Sequence, residues 1–201
     1  AKEADVIVCA MGETADMSGE CASRTNLEMP DVQQELLAEL AKMGKPVVLL
    51  NFAGRPMVLS WENEHIPAIM NVWFGGSEVG DALCDVIFGD KVPSGKLTTS
   101  MPKTTGQEPL YYNHQNTGRP VPDDNQKFAK FASNCLDVSN GPLYPFGYGL
   151  SYTTFEYGDL KLSSHEVNMD DWKITATINV KNTGSRDADE IVQLYIRDMV
   201  A

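Results

Sequence analysis

A polar loop near the start of the chain carries the side chains best suited to catalysis. Residues 12–24 read Gly-Glu-Thr-Ala-Asp-Met-Ser-Gly-Glu-Cys-Ala-Ser-Arg, so three carboxylates, two serines and one arginine lie close together. Hydrolysis of a sugar acetal requires a proton donor at the leaving oxygen, and that donor is usually a carboxylic acid. Glu20, which follows Gly19 within this loop, is the candidate donor. A solvated acidic loop would have the same composition, so the pattern alone leaves both readings open.

Apolar runs place this loop at the end of a strand in an α/β fold. Runs at 5–10, 46–52 and 68–74 do not alternate with polar residues, and helical patterns lie between them. Such strands are typical of a mainly parallel sheet sandwiched by helices, with both faces covered. Ligands bind beyond the carboxyl ends of the strands in sheets of this kind. The loops that this rule selects are 11–28, 53–57 and 75–78.

Three helices are predicted between and after these strands. The first begins at Pro30 and Asp31 and ends at Gly44, a common residue at helix ends. A short helix is predicted around 58–63, and a third begins after Ser77, which is a good capping residue. Residues 96–101 are a possible further strand. The apolar face of the first helix consists of Val32, Leu36, Leu37 and Leu40.

The pattern changes beyond residue 101. Residues 102–142 form a long polar loop, and residues 143–157 are a junction rich in aromatic residues, glycine and proline. Residues 158–201 contain only strand-like segments, including an alternating pattern at 172–180 and an apolar run at 191–196. We therefore predict an α/β domain over 1–142, truncated at its start, and a partial antiparallel β-sandwich over 158–201.

Charge and hydropathy restrict the possible partners. The chain has 16 basic and 28 acidic residues and a formal charge of -12. Nucleic acid and anionic membrane surfaces are therefore unexpected partners, because phosphate groups are bound mainly by Lys and Arg. No apolar run approaches the roughly 20 residues of a membrane-spanning helix. A neutral ligand such as a sugar is compatible with this composition.

Three further side chains are candidates for substrate binding. Arg24 lies in the polar loop, where it could orient Glu20, bind substrate or form an ordinary salt bridge. Trp73 ends the third strand beside two glycines, where an aromatic ring could stack on a sugar or belong to the sheet core. Tyr111 could reach over the active site or fix the long loop in place.

The motifs of the chain resemble those of glycoside hydrolase family 3 β-glucosidases along its whole length. In the polar loop the similar residues are Gly12-Glu13, Ser18-Gly-Glu20, Ser23-Arg24 and Asn26-Leu27. The junction Leu143–Phe155 is similar nearly letter for letter. The other similar segments are Gly54-Arg-Pro56, Trp73-Phe-Gly-Gly76, Pro93-Ser-Gly-Lys-Leu97, Asn116-Thr-Gly-Arg-Pro120 and Val180-Lys-Asn-Thr-Gly184.

The resemblance implies a specific division of roles. Glu20 falls at the position of the family's general acid/base, and Glu13 is the second choice for that role. The nucleophile would be an aspartate on an upstream (β/α)8 barrel, so this chain alone is expected to be inactive. The last segment would be the start of a fibronectin type III-like domain. The mechanism needs no metal and no organic cofactor.

The resemblance also implies a substrate and a location. The parent enzyme would release terminal β-D-glucosyl residues with retention of configuration, in the periplasm or as a secreted protein. A β-xylosidase of the same family is one alternative, and a carbohydrate-binding or interaction module without catalytic activity is the other. The unprotected strand at 191–196 would favour self-association of the isolated chain.

Overall fold

The computed structural model divides the chain into two compact units. The first unit comprises residues 1–79, 97–148 and 195–201, and the second comprises 80–96 and 149–194. Asn116 and Thr117, which belong to one of the similar motifs, lie outside the described residues. The domain boundaries predicted at 142 and 157 remain predictions. The residues that the structure describes are 1–115, 118–121, 123, 130–168, 170 and 172–198.

A three-stranded parallel sheet with the order β1-β2-β3 lies at the centre of the first unit. Its strands are β1 (Ile7–Gly12), β2 (Val47–Phe52) and β3 (Ala68–Asn71). Strands β1 and β2 pair over their full length, so that Gly12 lies opposite Phe52. Apolar side chains make up most of the three strands, as is typical of a parallel sheet.

Two helices of the first unit lie between these strands in the chain, α1 (Asp31–Ala41) and α2 (Ser60–His65). The buried core between helices and sheet includes Leu37, Leu49, Met57, Leu59 and Met101. A short 3-10 helix follows at Thr105–Gln107. None of the helices in the described part of the chain is long and apolar enough to span a membrane.

The predicted apolar face of α1 is only partly buried. Leu37 is fully buried and Leu40 packs against the core, but Val32 is 78% exposed and Leu36 is 52% exposed. Strand β1 also has an open face, because Val8 is 48% exposed while Ile7 and Cys9 are buried. Periodicity predicts which residues share a face, but burial also requires a second element to cover that face.

The second unit contains the helix α3 (Val79–Ile87), which begins at the last residue of the first unit, and four short strands. Strands β4 (Phe155–Tyr157) and β7 (Val180–Asn182) pair antiparallel, as do β5 (Lys161–Leu162) and β6 (Ala176–Thr177). The predicted fold class, an α/β fold with a parallel sheet followed by antiparallel strands, is confirmed.

Three of the predicted strands differ in the structure. Residues 96–101 form no strand and pair with residues 144–148 only at Leu97 and Met101. The alternating segment 172–180 contributes only the short strands β6 and β7, and Trp172 is largely exposed.

The segment 191–196 is also not a strand. A strand needs a neighbour to accept its backbone hydrogen bonds, and an apolar pattern does not provide one. The prediction of an edge strand at 191–196 is therefore wrong. Self-association of the isolated chain, which this strand was expected to favour, remains a prediction.

Gly12 ends β1 at a point where a side chain does not fit. Its φ is +131°, and a Cβ atom on it would lie 1.9 Å from the carbonyl oxygen of Phe52. The side chain of Gln33 on α1 closes over the same residue. Its Oε1 accepts from the Gly12 N–H at 2.7 Å, and its Nε2 donates to the Gly12 carbonyl at 3.0 Å. The end of β1 and the start of its loop therefore depend on a glycine.

We expect Gly12→Ala to lower the free energy of unfolding by about 2 kcal/mol or more, because the new methyl group meets a backbone carbonyl and the φ is strained. Urea unfolding followed by circular dichroism measures this change. Gly76→Ala is the matched control, since a Cβ atom there has no neighbour within 4 Å. Equal stability of the two variants would contradict this account of Gly12.

A second expected effect concerns Glu62, a buried carboxyl group on α2. Glu62 is 2% exposed and its Oε1 has no hydrogen-bond partner in the described chain. Burial raises the pKa of this carboxyl above its ordinary value of 4.5. The folded state therefore holds the proton more tightly than the unfolded state, and Glu62 lowers stability as pH rises from 4.5 through the raised value.

Glu62→Gln should consequently raise the free energy of unfolding at neutral pH by about 1 kcal/mol, a typical size for a single substitution, because the amide carries no charge that burial must desolvate. Little change is expected at acidic pH, where the native carboxyl is already protonated. Urea unfolding at both pH values checks this, with Glu64→Gln on the exposed side of α2 as the control. A gain of the same size at both pH values would refute the explanation.

Candidate active-site loop

The polar loop begins directly beyond the last paired residues of β1 and β2. The N–H of Glu13 donates to the Phe52 carbonyl at 2.8 Å, so the first loop residue is still attached to the sheet. The loop returns to the same unit at its other end, where the Val58 N–H donates to the Leu27 carbonyl at 2.9 Å. The last residue of β2 therefore contacts one end of the loop and a residue beyond β2 contacts the other, as expected at the carboxyl edge of a parallel sheet.

Glu13, Arg24 and Arg55 form a buried charge cluster, called here the Glu13 clamp. Arg24 Nη1 donates to Glu13 Oε1 at 3.1 Å. Arg55 Nε lies 2.9 Å from the same oxygen, but its N–H does not point at it, so this contact is electrostatic. The Gly54 N–H donates to Glu13 Oε2 at 3.0 Å. The side chain of Glu13 is 0% exposed, and those of both arginines are 19% exposed.

The clamp gives Glu13 surroundings that do not suit a proton donor. Both of its oxygens already face donors from the protein, and its side chain has no surface open to a substrate. A buried carboxylate is tolerated when opposite charge and hydrogen bonds replace the lost water. This geometry disfavours Glu13 as the acid/base and gives Arg24 a salt bridge rather than a free guanidinium. Arg24 also donates to the Glu28 carbonyl at 3.1 Å.

Glu20 lies in the opposite kind of environment, on a tight turn formed by residues 19–22 and called here the Glu20 turn. The Ala22 N–H donates to the Gly19 carbonyl at 3.2 Å and closes the turn. Cys21 has φ +59°, the left-handed conformation that such turns often require at their third position. The carboxylate of Glu20 is exposed, and no described residue hydrogen bonds or pairs with it.

Arg55 connects the Glu20 turn to the sheet. Its Nη2 donates to the Met17 carbonyl at 2.9 Å and to the Ala22 carbonyl at 3.1 Å. These two carbonyls lie on either side of Glu20 in the chain. One guanidinium group therefore holds both sides of the segment that carries the candidate acid.

The third carboxylate of the loop, Asp16, has a local partner. The Thr14 hydroxyl donates to Asp16 Oδ1 at 2.5 Å, and this hydrogen bond lowers the pKa of Asp16. A carboxyl group with a lowered pKa is ionised at neutral pH and is a poor general acid. Glu20 is therefore the carboxylate of this loop that is both accessible and without a partner among the described residues.

The aromatic candidates differ in their exposure. Trp73 does not end the third strand as predicted, because β3 stops at Asn71 and Trp73 has a left-handed φ of +58°; its side chain is partly buried and packs against the core. Its neighbour Phe74 is 60% exposed, and its ring lies so close to Gly54 that a Cβ atom there would be 2.6 Å from it. Tyr111 and Tyr112 are both exposed, and the ring of Tyr112 stacks on Phe146 with ring centroids 4.4 Å apart.

Sequence reasoning did not identify Arg55 or Phe74 as parts of this site. Both lie in segments that had been noted, Gly54-Arg-Pro56 and Trp73-Phe-Gly-Gly76. Arg55 could have been found from the sequence, because it is the basic residue of loop 53–57, one of the loops predicted to lie at the carboxyl ends of the strands. No group of three or more possible metal-ligating side chains occurs among the described residues.

Known proteins resemble this chain in both sequence and structure. It is 48% identical over 201 residues to a periplasmic beta-glucosidase of Salmonella typhimurium and 40% identical over 199 residues to a beta-xylosidase of Formosa agariphila. These alignments include 100% and 98% of this chain but 26% of each relative, so the chain spans about a quarter of their length.

Solved structures give the same assignment. The crystal structure of a beta-glucosidase from Listeria innocua in complex with glucose superposes with a TM-score of 0.83 at 40% identity, covering 91% of this chain and 25% of that one. The Glycosyl hydrolase family 3 C-terminal domain matches residues 1–152. The resemblance noted in the sequence is thereby confirmed, and the chain belongs to glycosyl hydrolase family 3 through its C-terminal domain.

Proposed function

We propose that the chain supplies the general acid/base of a retaining β-glucosidase. The observation that carries the proposal is the accessible carboxylate of Glu20, which pairs with no described residue and lies on a turn that Arg55 attaches to the carboxyl edge of the sheet. Its place in the family's loop adds to this, as do the relatives named as glucosidases. Glu13, the alternative, is enclosed by two arginines and an amide.

The proposed reaction divides the chemistry between this chain and another domain. A nucleophile aspartate, on an upstream barrel of the full-length protein, attacks the anomeric carbon, and Glu20 protonates the departing oxygen. In the second step the Glu20 carboxylate takes a proton from water, which then displaces the aspartate and restores the configuration. The exposure of Glu20 suits both steps, since the leaving oxygen in the first step and the water in the second must each reach its carboxyl group.

Terminal β-D-glucosyl residues are the proposed substrates. The relative with 48% identity is a glucosidase and the one with 40% identity is a xylosidase, so a β-xyloside is the second candidate. Arg24, Trp73 and Tyr111 remain predictions as substrate-binding residues. Phe74 presents the more exposed ring beside the loop.

Location and partners follow from the same family. We propose a periplasmic or secreted protein, because the Salmonella relative is named as periplasmic. The upstream barrel is the proposed partner domain, and residues 158–201 are the proposed start of a fibronectin type III-like domain. A non-catalytic carbohydrate-binding or interaction module is the competing function, and the following experiment separates the two.

Glu20→Ala in the full-length protein should reduce kcat/KM about 10²- to 10⁴-fold on phenyl β-glucoside, the usual contribution of a general acid. On dinitrophenyl β-glucoside the loss should be much smaller, because this leaving group departs without a proton. Azide should restore turnover of the dinitrophenyl substrate, since a small anion can attack the glycosyl-enzyme without a general base. Initial-rate kinetics with and without azide measure these effects.

Asp16→Ala is the matched control, as it removes another exposed carboxylate from the same loop. It should retain activity within a few-fold on both substrates. Near-normal activity of Glu20→Ala on phenyl β-glucoside would return this domain to a supporting or binding role. The corresponding xylosides replace the glucosides if the protein prefers them.

The chain alone is expected not to hydrolyse glycosides, because the proposed mechanism requires a nucleophile at roughly 5–5.5 Å from the acid. The purified 201-residue chain should show no turnover of dinitrophenyl β-glucoside above background, while the full-length protein hydrolyses it. Circular dichroism establishes that the isolated chain is folded. Measurable turnover by the folded chain would show that a complete catalytic pair lies within it.

A further inference from the structure

We propose that Glu13 is a positioning residue for Glu20, acting through Arg55. This inference rests on the proposed function of Glu20 and assigns a distinct role to a second carboxylate of the same loop. Glu13 would touch neither substrate nor reacting atoms. Its charge would hold Arg55, and Arg55 would hold the Glu20 turn in the orientation that proton transfer needs.

The Arg55 guanidinium joins the two sides of the Glu20 turn. Its Nη2 bridges the carbonyls of Met17 and Ala22, so it joins the chain before the Glu20 turn to the end of the turn. Arg55 itself lies three residues beyond β2 (Val47–Phe52). One side chain thereby attaches the Glu20 turn to the end of the sheet.

The position of Arg55 in turn depends on the negative charge of Glu13. Arg24 and Arg55 contact the same carboxylate oxygen, at 3.1 and 2.9 Å. Two guanidinium groups this close repel each other unless an anion lies between them. A neutral side chain at position 13 would leave both arginines without compensation, and each can escape toward water because 19% of its side chain is exposed. Arg55 would then release the two carbonyls.

This positioning role can be distinguished from ordinary structural support. Glu13 also accepts from the Gly54 N–H, so its loss could weaken the fold in general. General weakening reduces the amount of active protein and lowers the rate on every substrate alike. Misplacement of Glu20 instead lowers the rate only where proton donation limits bond cleavage. The dependence of the loss on the leaving group therefore distinguishes the two explanations.

The test uses Glu13→Gln in the full-length protein, which keeps the shape of the side chain and removes its charge. We expect kcat/KM on phenyl β-glucoside to fall about 10²-fold, as for a misplaced catalytic group. On dinitrophenyl β-glucoside it should fall by less than about threefold. The loss should lie mainly in kcat rather than in KM, since the proposed role concerns the transition state.

A double-mutant cycle supplies the second readout. Glu13→Gln added to Glu20→Ala should cause almost no further loss on phenyl β-glucoside, because the group that Glu13 positions is already absent. A purely structural Glu13 would reduce activity by the same factor in both backgrounds. An equal loss on both substrates, or an equal factor in both backgrounds, overturns the inference while leaving the role of Glu20 intact.

Two further variants keep the test decisive. Glu62→Gln is the matched control, since it removes another buried carboxylate of the first unit. Among the described residues no hydrogen bond or ion pair joins Glu62 to the clamp, so the variant should leave the ratio between substrates unchanged. Arg55→Lys keeps the charge but lacks Nη2, the nitrogen that donates to both carbonyls, and its ammonium group is not a planar guanidinium. It should show the leaving-group-dependent loss even if Glu13→Gln fails to fold, and a loss equal on both substrates would count against the proposal.

If Glu20→Ala itself shows no leaving-group-dependent loss and no rescue by azide, the proposed function fails. That outcome is distinct from failure of the positioning role. If only the positioning role fails, Glu20→Ala shows the leaving-group-dependent loss and the azide rescue, whereas Glu13→Gln loses activity equally on both substrates or not at all.

Discussion

The buried charge of Glu13 is the constraint on which the geometry of the loop depends. Its side chain has no exposed surface and lies beyond the last pair of β1 and β2, where water cannot solvate it. An ion that loses its water costs several kcal/mol unless opposite charge and hydrogen bonds replace it. The replacements come from Arg24 on the returning loop and from Gly54 and Arg55 after β2. The loop can therefore close only in an arrangement that brings both chain segments to this carboxylate.

The same arrangement explains why two glutamates seven residues apart differ so strongly. Arg55 pairs with Glu13 and donates to the backbone carbonyls of residues 17 and 22. Its hydrogen bonds therefore go to the backbone around Glu20 and not to the Glu20 carboxylate. Glu20 remains exposed and without a described partner. A group that must release and regain a proton needs this access, whereas a group that holds cations needs enclosure. The two proposed roles thus follow from environment rather than from residue type, as in other sites with paired carboxylates.

Sequence patterns predicted the parts of this molecule that local chemistry determines. Unalternating apolar runs identified β1, β2 and β3, and the rule for parallel sheets selected the loop that contains the clamp. The exposure of Val32, by contrast, depends on whether another element covers α1, and the absence of a strand at 191–196 depends on a missing neighbour. The role of Arg55 was not predictable either. Its contact with Met17 joins residues 38 positions apart and follows from the register of β1 on β2.

The position of Glu20 on a loop raises a question of precision, because side chains on loops are held less accurately than those on strands. Proton transfer tolerates little error, since a displacement of about 1 Å can cost 10²-fold in rate. A guanidinium group reduces this error because its planar geometry fixes the directions of the hydrogen bonds that it donates. Arg55 leaves the chain close to β2, and its far end contacts both sides of the Glu20 segment. The candidate acid thus combines the access of a loop residue with an attachment to the sheet, and the buried charge of Glu13 is what keeps that attachment in place.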